Sequence, residues 1–319
     1  MINYKNIREQ LINLPNNLPI YLAGHIKPDQ DSVCSCIALA EYLKNLGKNV
    51  KVLLNKKDES IIDWLKDNSL IVNNVNDNKY NFIALDVNEK SRLGEYEKDF
   101  DNAIIKFNID HHQNNKYEAN YTLSEPGKSS TCELIFKLIG KKENLNLKIC
   151  NCLYAGMMAD TNCFTRRLSN RTLTIAQKLI NSGVNYVEII KETFSKRSMY
   201  EFKALSKLIG EIKFDGFHYV VVDQQKQEFT KLSHNSIVKV IAEELRKIEE
   251  IDIFLLFIKN GNIITTKTMS NKCEIADKIA FNFGGGGHKK EAGFTVTDMT
   301  IEQIVLKTKE YLKSINKIK

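Results

Sequence analysis

The sequence predicts an α/β protein of two domains. An N-terminal doubly wound, mainly parallel sheet is followed by a smaller α/β domain with a mixed sheet. Three observations predict it. In the first half, short apolar runs alternate with helical stretches, the pattern of βαβ units. Three of those runs are followed at once by ionisable residues, namely His25, Asp86 and the pair Asp110-His111, and open parallel sheets place ligands beyond the carboxyl ends of their strands. In the second half the pattern changes to hairpins, with turn pairs Asp215-Gly216 and Asn260-Gly261. The domains are expected at 1–185 and 201–319, joined by a linker at 186–200, with the site in the cleft between them.

Taken in order, residues 2–13 read as a polar helix and 18–23 as the first strand, ending in Gly24-His25. A loop over 26–31 carries Pro28, Asp29 and Asp31. Ser32 reads as the cap of a helix that runs through Ile37, Leu39, Ala40 and Leu43 and stops at Gly47. A second strand covers 50–54, and a short helix over 61–66 holds Trp64, the one tryptophan. Residues 80–85 and 103–109 are the third and fourth strands, ending in Asp86 and in Asp110-His111-His112. Helices are expected over 129–139, 145–158, 173–181 and 186–194, the second running into Ala159-Asp160-Thr161. In the second half, 212–222 is a hairpin, 235–249 an amphipathic helix, and 253–258 with 263–268 a second hairpin. A helix over 275–283 leads into the loop Gly284–Gly287 and His288, and a Lys-rich helix closes the chain.

A chain of 319 residues is long enough to bury two cores, and 43% apolar with 27% charged residues is ordinary for a soluble protein. The net charge of +7 suits an anionic substrate but is too thinly spread to argue for long nucleic acid. Seven cysteines without paired CxxC units read as reduced thiols, against a disulfide scaffold or a structural zinc. Without a signal-like N-terminus or an apolar run of about 18 residues, a cytoplasmic location is expected.

The chemistry gathers in His25, Asp29, Asp31, Asp86, His111 and Asp160, with Asp110 and His112 beside them. Burying ionisable groups is costly unless they find partners, a metal or water. Asp29 and Asp31 stand two apart, so in an extended loop their carboxylates project the same way, and His25 can fold back onto the same ion. Singly, Asp29, Asp31 and Asp86 pass for caps and Asp160 for a helix end. Jointly, at equivalent places in one sheet, they read as a metal centre. Carboxylates and imidazoles without thiolates favour Mn²⁺ over a structural zinc, with Mg²⁺ or Co²⁺ as substitutes. Six ligands suit two ions sharing one carboxylate, the arrangement that activates water for attack at phosphorus.

Gly24-His25-Ile26-Lys27-Pro28-Asp29-Gln30-Asp31-Ser32, Leu85-Asp86, Asp110-His111-His112 and Ala159-Asp160-Thr161 resemble the four motifs of the DHH phosphoesterases. The segment from Phe283 through Gly284–Gly287, His288 and Ala292 to Gly293 resembles the glycine-histidine signature of the DHHA1 domain. In size the chain is similar to the NrnA-like subgroup. That resemblance implies hydrolysis of short oligonucleotides (nanoRNA, linear dinucleotides such as pApA) and of 3′-phosphoadenosine 5′-phosphate, with cyclic dinucleotides as substrates of relatives. It assigns His25 and Asp29 to one Mn²⁺ and Asp31, His111 and Asp160 to the other, with Asp86 bridging. It places His112 beside the scissile phosphate and Asp110 behind it as orienter. A homodimer stays open.

Glycines let backbone N–H groups approach an anion closely, so Gly285, Gly286, Gly287 and His288 are expected to hold the substrate's terminal phosphate or nucleotide. Arg92 and Arg166, or its neighbour Arg167, are candidates for a second phosphate. Two departures matter. Pro28-Asp29-Gln30-Asp31-Ser32-Val33-Cys34-Ser35 is more similar to the family II inorganic pyrophosphatases, which keeps hydrolysis of pyrophosphate or short polyphosphate as the alternative. A nucleotide-binding regulator without turnover is a further one. Near 266–271, where many relatives carry Ser-x-Arg-Ser, this chain has no arginine, leaving Lys267 or Lys272 as a point charge without bidentate geometry.

Overall fold

Ile20–Ala23 forms β1, and its side chains alternate between two cores, as a strand buried on both faces requires. Ile20 and Leu22 enter one core with Ile83, Leu85, Phe107 and Ile109, whereas Tyr21 and Ala23 join Phe82, Ala84 and Phe100 in the other. The computed structural model describes residues 4–318 apart from 27, 55–68, 114, 116, 117, 141–143, 196, 197, 227, 228, 230–240, 242, 243 and 246. The helix expected at 61–66 lies outside the described residues, as does most of the one at 235–249.

The chain divides into two compact units, Met1–Lys196 and Arg197–Lys319. In the first, α1 (Tyr4–Ile12) precedes β1, followed by α2 (Gln30–Asn45), β2 (Val50–Leu53), β3 (Ile71–Val72) and β4 (Asn81–Leu85). After a 3₁₀ turn at Lys90–Tyr96 come α3 (Glu97–Asn102), β5 (Lys106–Asp110) and β6 (Tyr121–Ser124). Four helices complete the unit: α4 (Thr131–Ile139), α5 (Leu147–Asp160), α6 (Thr172–Asn181) and α7 (Tyr186–Ile190). The strand order is β3-β2-β1-β4-β5-β6, every pair parallel. The winding reverses between β1 and β4, and His25 and Asp86 follow the carboxyl ends of those two strands, the crevice where such sheets bind ligands.

Two strands of the first unit were not expected. β3 is two residues long, and β6 is a half-exposed edge strand, so neither carries the apolar alternation that marks a strand. The start of α2 is corrected as well. Asp29, not Ser32, is the N-cap, and its carboxylate accepts a hydrogen bond from the Ser32 amide at 3.0 Å. Gln30 and Asp31 therefore lie in the first helical turn, and Asp31 does not share an extended loop with Asp29. A carboxylate three residues before Ser32 reaches the free amides of that turn first. The stretch 186–200 contains α7, whose Ile189 is buried in the first unit's core. All seven cysteines are free thiols, and five of them are buried.

The second unit holds α8 (Met199–Gly210), β7 (Lys213–Phe214), β8 (His218–Asp223), β9 (Ile253–Asn260) and β10 (Ile263–Ser270). It continues with α9 (Ala276–Phe281), β11 (Gly286–His288), β12 (Glu291–Thr297) and α10 (Ile301–Ser314). The sheet order is β11-β12-β10-β9-β8-β7, antiparallel except for the parallel pair β8–β9. The glycine run is not a free loop throughout: Gly286 and Gly287 pair with Gly293 and Ala292 in a short hairpin. The backbones lie so close that a Cβ on Gly287 would stand 2.6 Å from Ala292 Cα, and Gly287 has φ +143°, so glycine is required there.

Candidate metal centre

The eight candidate residues of the first unit converge at the carboxyl edge of its sheet. The donor atoms of seven of them, all but Asp110, form three groups, each within 4.8 Å of one another: His25, Asp29 and Asp86; Asp31, His111 and Asp160; and Asp86 with His111 and His112. Asp86 thus reaches donors from β1 on one side and from β5 on the other. It sits just past β4 with φ +61°, a left-handed conformation that aspartate tolerates better than most residues.

Each imidazole is held by a specific acceptor. His25 Nδ1 lies 2.8 Å from the Ile26 carbonyl, so Nδ1 carries the proton and Nε2 faces Asp29 at 3.8 Å and Asp86 at 3.6 Å. His111 does the same with the Lys128 carbonyl at 3.2 Å, and its Nε2 lies 3.5 Å from both Asp86 and Asp160. Both rings offer a bare Nε2 to a common space, the tautomer a metal ligand needs. His112 differs. Its Nδ1 is bonded to Asp110 at 2.7 Å, and Asn115 grips the second oxygen of Asp110 at 2.8 Å. Asn115 also donates to Asn108, which donates to the Val87 carbonyl beyond Asp86.

The acids are held by a feature the sequence reading missed, the N-terminus of α4. Asp31 accepts from the Thr131 amide at 2.7 Å and the Cys132 amide at 3.0 Å, and Thr131 Oγ1 donates to Asp86 at 2.9 Å. Free amides and the helix dipole favour negative charge there. The signal was legible as Ser130-Thr131-Cys132-Glu133, a Ser-x-x-Glu helix start. Two close approaches complete the frame. A Cβ on Gly24 would meet Ser32 Oγ at 1.9 Å, and one on Gly156 would meet Asp31 Oδ1 at 2.9 Å.

Burial and the neighbouring acids Asp86 and Asp160 push Asp31 well above the usual carboxylate range. Burial, with Asp29 adding to it, lifts Asp86 to about 6, opposed by His111, His112 and His25. Asp160 is raised by burial despite His111. Burial alone would lower the imidazoles, but the acids outweigh it, so His25, His111 and His112 all lie above the usual histidine value. Unbalanced carboxylates crowded beside imidazoles are what cations would relieve, and Asp160 Oδ2 is buried with no hydrogen-bond partner. The residues present fit divalent metal ions.

The other candidates fall in different places. Arg92 is half-buried, and its carbonyl accepts from the Ile26 amide at 2.7 Å, which braces the His25 loop. Arg167 faces Asp160, at 3.9 Å. In the second unit, Lys267 is engaged by Glu291 at 2.6 Å, and His288 is exposed on β11.

A parallel sheet whose strand ends gather such donors defines an α/β domain suited to holding metal ions, and similarity narrows the class. Residues 19–157 match the DHH family, N-terminal domain. A "Bifunctional oligoribonuclease and PAP phosphatase NrnA" from Thermus thermophilus is 25% identical over 309 residues, covering 89% of this chain and 86% of that protein. A "Membrane protein-large ribosomal subunit bL9 fusion protein" from Aster yellows witches'-broom phytoplasma is 24% identical over 98% of this chain, which spans only 38% of that relative's length. The fold is similar to an exopolyphosphatase-related protein from Bacteroides fragilis, with a TM-score of 0.84, 21% identity, and 98% of this chain and 97% of that one covered. Among the described residues, no helix is long and apolar enough to cross a membrane.

Proposed function

We propose that this chain is a divalent-metal phosphoesterase that hydrolyses short oligonucleotides such as pApA and 3′-phosphoadenosine 5′-phosphate. The observation that carries the reading is Asp86 standing within reach of two donor sets, His25 with Asp29 on one side and His111 on the other. The similarity to the Thermus oligoribonuclease and phosphatase supports the substrate class.

In this reading His25 and Asp29 would hold one cation, Asp31, His111 and Asp160 would hold a second, and Asp86 would serve both, with Mn²⁺ the ion that best suits the donors. When bound, such a pair supplies Lewis acidity that activates water for in-line attack at phosphorus. The chain's own residues do the rest. His112, held at Nδ1 by Asp110, keeps a proton on Nε2 and donates it toward a phosphoryl oxygen as charge develops there. Thr131 and the α4 amides keep Asp86 and Asp31 aimed. On the first unit Arg92 and an arginine after Asp160 bind a substrate phosphate, and on the second unit Gly285, Gly286, Gly287 and His288 bind a phosphate or nucleotide.

The test is hydrolysis of pApA, 3′-phosphoadenosine 5′-phosphate and pyrophosphate with Mn²⁺. Faster turnover of the nucleotides is expected. Preference for pyrophosphate would favour the second reading, motivated by the segment 28–35, and nucleotide binding without any turnover would indicate a regulator.

A further inference from the structure

Behind the metal centre lies a carboxylate that the reading above leaves unused. Glu133, on the first turn of α4, is fully buried. Its Oε2 accepts from Ser129 Oγ at 2.6 Å, the Ser129 amide at 3.2 Å and Thr172 Oγ1 at 2.9 Å, and its Oε1 accepts from Ser169 Oγ at 2.6 Å. The nearest cation, Lys128 Nζ, stands 4.0 Å away. One buried acid, satisfied almost wholly by hydroxyls, therefore ties the turn before α4 to the turn before α6.

Both turns serve the site. The first presents the Lys128 carbonyl to His111 and the Thr131 hydroxyl to Asp86. The second runs from Asp160 to α6 through Asn162, Cys163, Phe164 and Arg167, all with φ between +49° and +60°. Left-handed backbone at a phenylalanine and an arginine persists only where its surroundings enforce it. Thr161 secures the near end, accepting from the Phe164 amide at 3.0 Å and donating to Met157, while Ser169 and Thr172 secure the far end on Glu133. Between those anchors stands Arg167. Its guanidinium lies 3.9 Å from Asp160, while its side chain stays 54% exposed. A planar guanidinium beside a metal-binding acid suits a doubly bonded contact to a phosphate.

We propose that Glu133 is a positioning residue that locks the 161–171 turn so that Arg167 meets the phosphate of the bound nucleotide. The assignment rests on the phosphoesterase reading.

A double-mutant cycle tests it. Glu133→Gln keeps the shape but replaces one acceptor by a donor, and Arg167→Ala removes the guanidinium. For each variant and for the pair, KM and kcat on pApA with Mn²⁺ are measured, together with the affinity of the metal-free protein for 3′-phosphoadenosine 5′-phosphate. Each single change should raise KM and weaken nucleotide binding about tenfold with a smaller change in kcat, and the pair should be no worse than either single. Additive losses, or a Glu133→Gln protein with unchanged KM, would overturn the proposal. If Glu133→Gln does not fold, Ser169→Ala removes one of the four bonds and takes its place in the cycle. Wild-type protein without turnover would instead sink the phosphoesterase reading, while the affinity arm would still report the coupling of Glu133 to Arg167.

Discussion

Gly156 of α5 lies against Asp31 of α2 so closely that the smallest side chain would intrude, its Cβ standing 2.9 Å from the Asp31 carboxylate and 2.3 Å from Cys132 Sγ. One turn further on, α5 ends in Asp160. The same helix face thus makes room for one acid and supplies another. Gly156→Ala should destabilise the protein by about 1–3 kcal/mol through overpacking and weaken Mn²⁺ binding, as read by denaturation and calorimetry. Gly210 has nothing within 4 Å of a built Cβ, so Gly210→Ala serves as the neutral or slightly stabilising control.

Thr131→Val removes the hydroxyl that aims Asp86 while keeping its shape. Supporting hydrogen bonds to metal ligands are typically worth about 10–100-fold in affinity or activity. Mn²⁺ titration of this variant should show a loss in that range with little change in melting temperature.

Asp86→Ala should abolish hydrolysis, because two of the three donor groups lose their shared member. Metal analysis should find fewer ions bound per chain than in the unaltered protein. Retention of full stoichiometry would show that the two groups do not depend on Asp86.

His288→Ala should raise KM and leave Mn²⁺ binding intact, since His288 belongs to the second unit's β11 and none of the three donor groups includes it. Lost metal binding in this variant would refute the division of labour between the units.

The metal-free protein should lose stability as pH rises from about 4 to 8. Asp86, raised by burial to about 6, favours its proton in the folded state, so its contribution is complete below the unfolded value near 4 and gone above 6. His25, His111 and His112, raised by their acids against the effect of burial, lose their contribution as pH climbs past their folded values. The sign is the same for all four. Saturating Mn²⁺ should flatten the profile by replacing those protons, which melting curves across pH would reveal.

Much of this architecture was legible beforehand because a short apolar run and a following ionisable residue are both local signals. The strands ending in His25, Asp86 and Asp110 are such cases. What went unread depended on chain segments meeting. β3 and β6 are too short or too exposed to carry a pattern. The cap of α2 was misplaced by three residues because Asp29 and Ser32 are both good caps and only the backbone turn chooses between them. Glycines 286 and 287 read as loop, since their strand character comes from pairing with β12 and not from their own preference.

By itself the sequence determined which donors are present, that nitrogen and oxygen atoms dominate them, and that His25, Asp86, Asp110 and His111 stand at strand ends, because side-chain chemistry and apolar periodicity are written along the chain. Only the tertiary structure decided that Asp29 and Asp31 face different partners, that α4 holds Asp31 and Asp86, and that Glu133 spans two turns. Those relationships join atoms up to 101 residues apart, and a hydrogen bond reports only where its two ends come to rest.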